Sequence, residues 1–177
     1  MTAAKDLGWV QKVRKQEVFP MSKSVKPIPD GYHSVTPYLI IDGGKAKDAL
    51  AFYTRAFNAK EVMRMPRPDG GLAHAEIELG DSRIMLADES PKTESYGPSH
   101  YGGSPVTLHV YVPDVDSTTK QAASAGATVV RPLADQFYGD RTAGLKDPFG
   151  HTWYLSTHVR DVSVEEMQKQ MKAMAAA

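Results

Sequence analysis

Asn58-Ala59-Lys60-Glu61-Val62 and, 68 positions further on, Gly126-Ala127-Thr128-Val129-Val130 say the same thing twice. Asparagine and glycine tolerate the left-handed backbone with which helices stop, and each is followed here by a run suited to a strand. Before Asn58, the residues Ala46, Ala49, Leu50, Tyr53 and Phe57 recur at helical spacing as one apolar face. Before Gly126, a helix is predicted over residues 115–125. A strand is predicted ahead of each helix, at 33–42 and 106–112. Three more follow each helix, at 59–65, 72–79 and 82–88 in the first unit and at 128–132, 136–145 and 151–158 in the second. Pro66-Arg67-Pro68-Asp69-Gly70-Gly71, Gly80-Asp81 and Asp147-Pro148-Phe149-Gly150 supply turns between them. Each unit therefore reads strand–helix–strand–strand–strand. One helix cannot cover four strands, so the two units are expected to pack into one α+β domain.

Composition narrows the function classes. The chain has 177 residues, with 21 Lys plus Arg against 21 Asp plus Glu, so its formal charge is zero. No positive excess is available to neutralise phosphates or an anionic membrane surface, so neither nucleic acid nor membrane is an expected partner. Cysteine is absent, which excludes disulfides, thiolate metal sites and thiol nucleophiles. Apolar runs such as Tyr38-Leu39-Ile40-Ile41 are too short to span a bilayer. A cytoplasmic location is expected. Residues 1–20 contain no secretory apolar run, and Met21 offers a second plausible start. The expected organisation is an arm over 1–30, a two-module domain over 31–160 (modules 31–89 and 105–160) and a helical tail over 161–177. That tail opens on Ser163-Val164-Glu165-Glu166, which fits a capping box. Between the modules, residues 89–105 are read as a connector, with a lid as the alternative.

Paired βαβββ modules resemble the vicinal oxygen chelate superfamily, which includes glyoxalase I, the bleomycin-resistance proteins and ring-cleaving dioxygenases. Several stretches are similar to its PhnB-like branch: Thr36-Pro37-Tyr38-Leu39, Ala51-Phe52-Tyr53, Phe57-Asn58-Ala59, His74-Ala75-Glu76-Ile77, Tyr138-Gly139-Asp140-Arg141 and Asp147-Pro148-Phe149-Gly150-His151. The resemblance covers residues 30–160. It implies a cup-shaped mixed sheet, homodimers in which modules are sometimes exchanged between chains, and, in the metal-dependent members, a divalent ion. That ion is held by His, Gln or Glu from the first and last strand of each module.

Strand alternation places Thr36, Tyr38 and Ile40, Arg83, Met85 and Ala87, Thr107, His109 and Tyr111, and Thr152, Tyr154 and Ser156 on the cup face. Matching the family pattern puts its four ligand positions at Tyr38, Met85, Thr107 and Tyr154; both module-to-module intervals are 69 residues. A thioether, a threonine and two phenols are poor ligands for the ions such sites hold. No metal and no cofactor are therefore expected, and glyoxalase I or extradiol dioxygenase activity is not. A shifted divalent site using His74, Glu76, Glu78 and His109 is the alternative, against the simpler reading of His74 and Glu76 as a hydrogen-bonded pair. Without a metal the cup reads as a small-molecule pocket with aromatic and methionine walls. The candidate ligand-binding residues are Tyr38, His74, Glu76, Met85, Thr107, His109, Tyr111, Tyr138, Arg141 and Tyr154. Arg141 is placed at the cup edge to receive an anionic group, with an Asp140 or Glu76 ion pair as the competing reading. The expected function is metal-independent binding of a small hydrophobic or aromatic molecule. The alternative is a lyase or isomerase with His109 or Glu76 as general base.

Overall fold

The computed structural model describes residues 25–175. The readings of 1–20 as an extension and of Met21 as a start lie outside them. The chain divides into one unit ending at Asp30 and a second running from Gly31. In the first, exposed Lys26 and Asp30 form an ion pair at 2.6 Å.

The second unit contains the repeat. Its first module is β1 (Tyr38–Ile41), α1 (Ala46–Phe57), β2 (Lys60–Pro66), β3 (Leu72–Leu79) and β4 (Ser82–Asp88). Its second is β5 (Thr107–Tyr111), α2 (Val115–Ala125), β6 (Thr128–Asp135), β7 (Asp140–Lys146) and β8 (Thr152–His158). A terminal helix, α3 (Val164–Ala175), follows, and Ser163 Oγ accepts a hydrogen bond from Glu166 N at its start. The strands form two four-stranded sheets of identical order, β1-β4-β3-β2 and β5-β8-β7-β6. In both, the first strand pairs in parallel with the fourth and the other pairings are antiparallel. This is the α+β architecture of two βαβββ modules that the repeat predicts. No helix among the described residues is long and apolar enough to cross a membrane.

The helix stops follow the sequence reading. Asn58 (φ 56°) and Gly126 (φ 119°) both close their helices in the left-handed conformation. Asn58 also has a side chain to use: its Oδ1 and the Arg55 carbonyl both accept hydrogen bonds from Gln121 Nε2, which ties α1 to α2. The core lies between helices and sheets. Tyr53 and Phe57 of α1 pack against Trp153 of β8, with ring centroids 5.3 and 4.8 Å away. All three are buried, and burying an aromatic of this size contributes about 2–3 kcal/mol. The Asp147-Pro148-Phe149-Gly150 turn is fastened to that core. Buried Asp147 accepts from Tyr53 Oη and Trp153 Nε1 on one oxygen, and from the backbone of Phe149 and His151 on the other.

The structure corrects three strand bounds. The strand expected from residue 33 begins at Tyr38, since residues 33–37 make no ladder with β4. The strand expected to stop at Pro132 runs on to Asp135, because β6 is an edge strand with register shifts, where proline costs no ladder hydrogen bond. The strand expected from residue 136 begins at Asp140, after a turn in which Gly139 N donates to Gln136 O.

The 69-residue interval is also corrected at one end. Tyr38 stands beside Met85, but the partner of Tyr154 is His109; Thr107 pairs with Thr152. The connection leading into α1 (residues 42–45) is two residues longer than its counterpart (residues 113–114). This displaces β5 by two positions against the repeat. Two is an even number, so the face assignments survive while the matched residue changes from Thr107 to His109. At the helix starts and in the last strands the interval of 69 holds: Asp88 accepts from the backbone N of Ala46, and Thr157 accepts from that of Val115.

Candidate functional site

One row of side chains crosses each sheet on the face away from the helices. In the first module it reads Met63, Glu76, Met85, Tyr38, and in the second Arg131, Gly144, Tyr154, His109. Alternation delivers every member to that face, with help from bulges in β2 and β6 just before Met63 and Arg131.

On the first module four side chains form one hydrogen-bonded chain. Tyr38 Oη lies 2.8 Å from His74 Nδ1, and His74 Nε2 lies 2.9 Å from Glu76 Oε1. Tyr32 Oη donates to the other oxygen, Glu76 Oε2. Tyr38 reaches His74 by crossing over β4. Met63, Met65 and Met85 surround the chain on the same face. Glu76 is 5 % exposed and Tyr38 is 47 % exposed, so a buried carboxylate stands at the inner end and an accessible phenol at the outer. Burial works to raise the Glu76 carboxyl, but hydrogen bonds from His74 and Tyr32 and the charges of His74 and Arg83 outweigh it and hold it below the ordinary value. The Tyr38 phenol is pushed up, chiefly by burial, with the charge of Arg67 opposing. Tyr32 is also raised, first by its hydrogen bond to Glu76 and then by burial. Tyr38 lines two grooves. One, of about 320 Å³, has Ile40, Tyr96 and Tyr101 in its walls; the other, of about 490 Å³, has Arg67, Ala87 and Thr93. The segment between the modules walls both, through short turns at Pro91–Thr93 and Pro98–Tyr101.

The second module assembles a different cluster. Arg131 lies 5.3 Å over the Tyr154 ring, and His109 lies 6.4 Å from the same ring and 5.1 Å from Tyr111. Gly144 lets Arg131 and Tyr154 meet, since a Cβ there would stand 3.0 Å from both. Tyr111 Oη donates to buried Asp140, whose other oxygen lies 2.8 Å from His158 Nδ1. His158 Nε2 lies 3.1 Å from Asp161, and its contacts with Asp140 and Asp161 raise His158, while the hydrogen bond to Asp140 raises Tyr111.

The ten sequence candidates thus fall into groups. Tyr38, His74, Glu76 and Met85 come together on one module, and His109, Tyr111 and Tyr154 on the other. Glu76 and His109 sit in separate clusters. Thr107 is exposed at the start of β5, and Tyr138 stacks edge-on against Phe137 in the turn before β7. Arg141 does not edge the cup. It pairs across β8 with Thr157, on the face that carries Trp153 and Leu155, and its guanidinium is held by Asp116 (2.7 Å) and Asp135 (3.0 Å). Neither Asp140 nor Glu76 is its partner; Asp140, one residue earlier in the strand, points the other way. The motif around Arg141 is a structural clamp. Gly139 (φ 101°) accepts from the backbone of Val159 and Arg160, so closely that a Cβ would strike the Arg160 carbonyl. Sequence reasoning missed Tyr32, Met63, Arg131 and Asp140. Arg131 is the one strand arginine without a carboxylate partner among the described residues; Arg64, Arg83 and Arg141 each have one.

The donors do not fit a divalent metal. His109 in place of Thr107 adds one imidazole to the matched positions, beside a thioether and two phenols. His74 and Glu76 are engaged with each other and with Tyr38 and Tyr32. Among the described residues no three His, Asp or Glu side chains are grouped to share an ion.

Paired βαβββ modules, each with an open face opposite its helix, define the class of scaffold. Residues 38–155 match the model of the Glyoxalase/Bleomycin resistance protein/Dioxygenase superfamily, and the chain belongs to that superfamily. It is 39 % identical over 167 residues to the uncharacterized protein Rv0887c of Mycobacterium tuberculosis, covering 93 % of this chain and 94 % of the relative. Among solved structures it resembles TioX from Micromonospora sp. ML1, with a TM-score of 0.56 and 26 % identity over 71 % of this chain and 100 % of that one. A PhnB protein from Bacillus cereus shares the fold, with a TM-score of 0.55 and 20 % identity over 71 % of this chain and 99 % of that one.

Proposed function

We propose that this protein binds a small hydrophobic or aromatic molecule, without a metal, against the open face of its first module. The observation that carries this reading is the row Met63, Met85, Tyr38, with Met65 beside it. It places polarizable thioethers and an aromatic ring around a single polar chain, next to two grooves. A larger depression of about 560 Å³, bordered by Lys45, Lys146 and the turn at Asp147, is a weaker candidate because Asp147 is already fully engaged in holding that turn. The molecule is read as a cytoplasmic homodimer, a reading supported by Tyr111, a large aromatic that remains more than half exposed on the second module. Light scattering on the eluting protein tests the dimer, and a mass of one chain contradicts it.

A thermal-shift screen tests the function, using aromatic antibiotics, dicarbonyl metabolites and divalent metals. An aromatic compound should raise the midpoint with concentration, while metals leave it unchanged. Stabilisation by a metal alone would contradict the reading. A second reading, a lyase or isomerase working through Glu76, draws support from the hydrogen-bonded chain in which that carboxylate stands.

A further inference from the structure

We propose that Tyr38 is an activated hydroxyl, giving its proton to His74, which Glu76 orients, so that the phenol oxygen acts as a general base toward a molecule held in the adjoining grooves. The geometry has three parts. An accessible hydroxyl lies 2.8 Å from one imidazole nitrogen, and a buried carboxylate lies 2.9 Å from the other. Tyr32 fixes that carboxylate from behind. A carboxylate on Nε2 selects the tautomer with the proton there and leaves Nδ1 as the acceptor facing Tyr38. This is the hydroxyl–imidazole–carboxylate logic by which weak nucleophiles are activated, with a phenol in the first place.

The step balances within the site and forms no free phenolate, which burial of Tyr38 disfavours, because both proton transfers occur together. Tyr38 Oη takes the proton of a ligand hydroxyl, or of a carbon next to a carbonyl, as its own proton passes to His74 Nδ1. The ligand is left as an anion, and the imidazolium is held against the Glu76 carboxylate. The return step delivers both protons back. The charged and titratable groups around the chain are Tyr32 and Arg83 at its inner end and Arg67 at its outer end. The ligand class is therefore a compound with an acidic O–H or an enolisable C–H, and this part of the inference rests on the binding reading.

The activation itself is tested without a ligand, using N-acetylimidazole as the probe and peptide mass spectrometry as the readout. Tyr38 Oη attacks the acetyl carbonyl as its proton passes to His74 Nδ1, and the C–N bond then breaks, the departing imidazole taking that proton back from His74. Tyr101 is the internal control: it is 64 % exposed against 47 % for Tyr38, so accessibility alone favours Tyr101. The expected result is acetylation of Tyr38 at least about tenfold faster than Tyr101. His74→Asn and Glu76→Gln should each collapse the ratio while leaving Tyr101 labelling unchanged, which also reports that the fold is kept. Equal or slower labelling of Tyr38 in the unaltered protein overturns the proposal with no variant needed, and so does a ratio that survives His74→Asn. Either result would leave the thermal-shift outcome, and with it the binding reading, untouched.

Discussion

Gly144 shows how a single missing side chain shapes a surface. Its neighbours on the open face, Arg131 and Tyr154, stack across the place a Cβ would occupy. Gly144→Ala should therefore force the pair apart and cost about 1–2 kcal/mol, read from chemical denaturation. At His158, the link is between protonation and stability. Its folded pKa is raised by Asp140 and Asp161, so its contribution is complete below the free value of 6.5 and is lost as pH rises through the folded value. The melting temperature should fall over that interval, and His158→Gln should flatten the fall. Glu76 has the opposite sign. Its folded pKa is lowered, so its contribution is present above 4.5 and disappears as pH drops through the folded value. Glu76→Gln should reduce the acid sensitivity of the midpoint. Residues of this kind divide in how readable they were. His74 and Glu76 stood out because, with Glu78, they alternate as polar groups on an otherwise apolar strand. Arg131 did not, because the bulge that turns it onto the open face leaves no local mark in the sequence.

At the scale of elements, the turn after β7 is the strongest structural joint. Asp147 gathers Tyr53 from α1, Trp153 from β8 and two backbone N–H groups of its own turn. Asp147→Ala should cost about 3 kcal/mol or more, because it leaves buried donors unpaired, and should lower the thermal midpoint well before any surface substitution does. Tyr53→Phe removes one of those donors instead of the acceptor and should cost about 1 kcal/mol. Both helices, their stops and all eight strands could be read from periodicity and turn residues, since these depend on neighbours in the chain. The end of β6 could not, because whether proline is tolerated depends on being at a sheet edge, a property of the assembled sheet. The exchange of Thr107 for His109 has the same origin. A two-residue difference in the loops before the helices keeps every face but changes which residues share a row.

For the whole molecule, duplication has produced two sheets of one topology with unlike faces. The first carries methionines and a buried carboxylate behind a phenol, and the second an arginine, a histidine and a tyrosine. Family membership explains the shared topology and leaves the difference to be explained by chemistry. Binding at the first face is the central claim, and the methionines report on it directly. Of the eight in the chain, Met63, Met65 and Met85 lie on that face, whereas Met167, Met171 and Met174 lie on α3. With methyl-labelled methionine, NMR spectra recorded during titration with anilinonaphthalene sulfonate, a planar aromatic probe, distinguish the two sets. The account predicts saturable shifts at Met63, Met65 and Met85 with the α3 methyls unmoved; shifts confined to α3, or none at all, would contradict it.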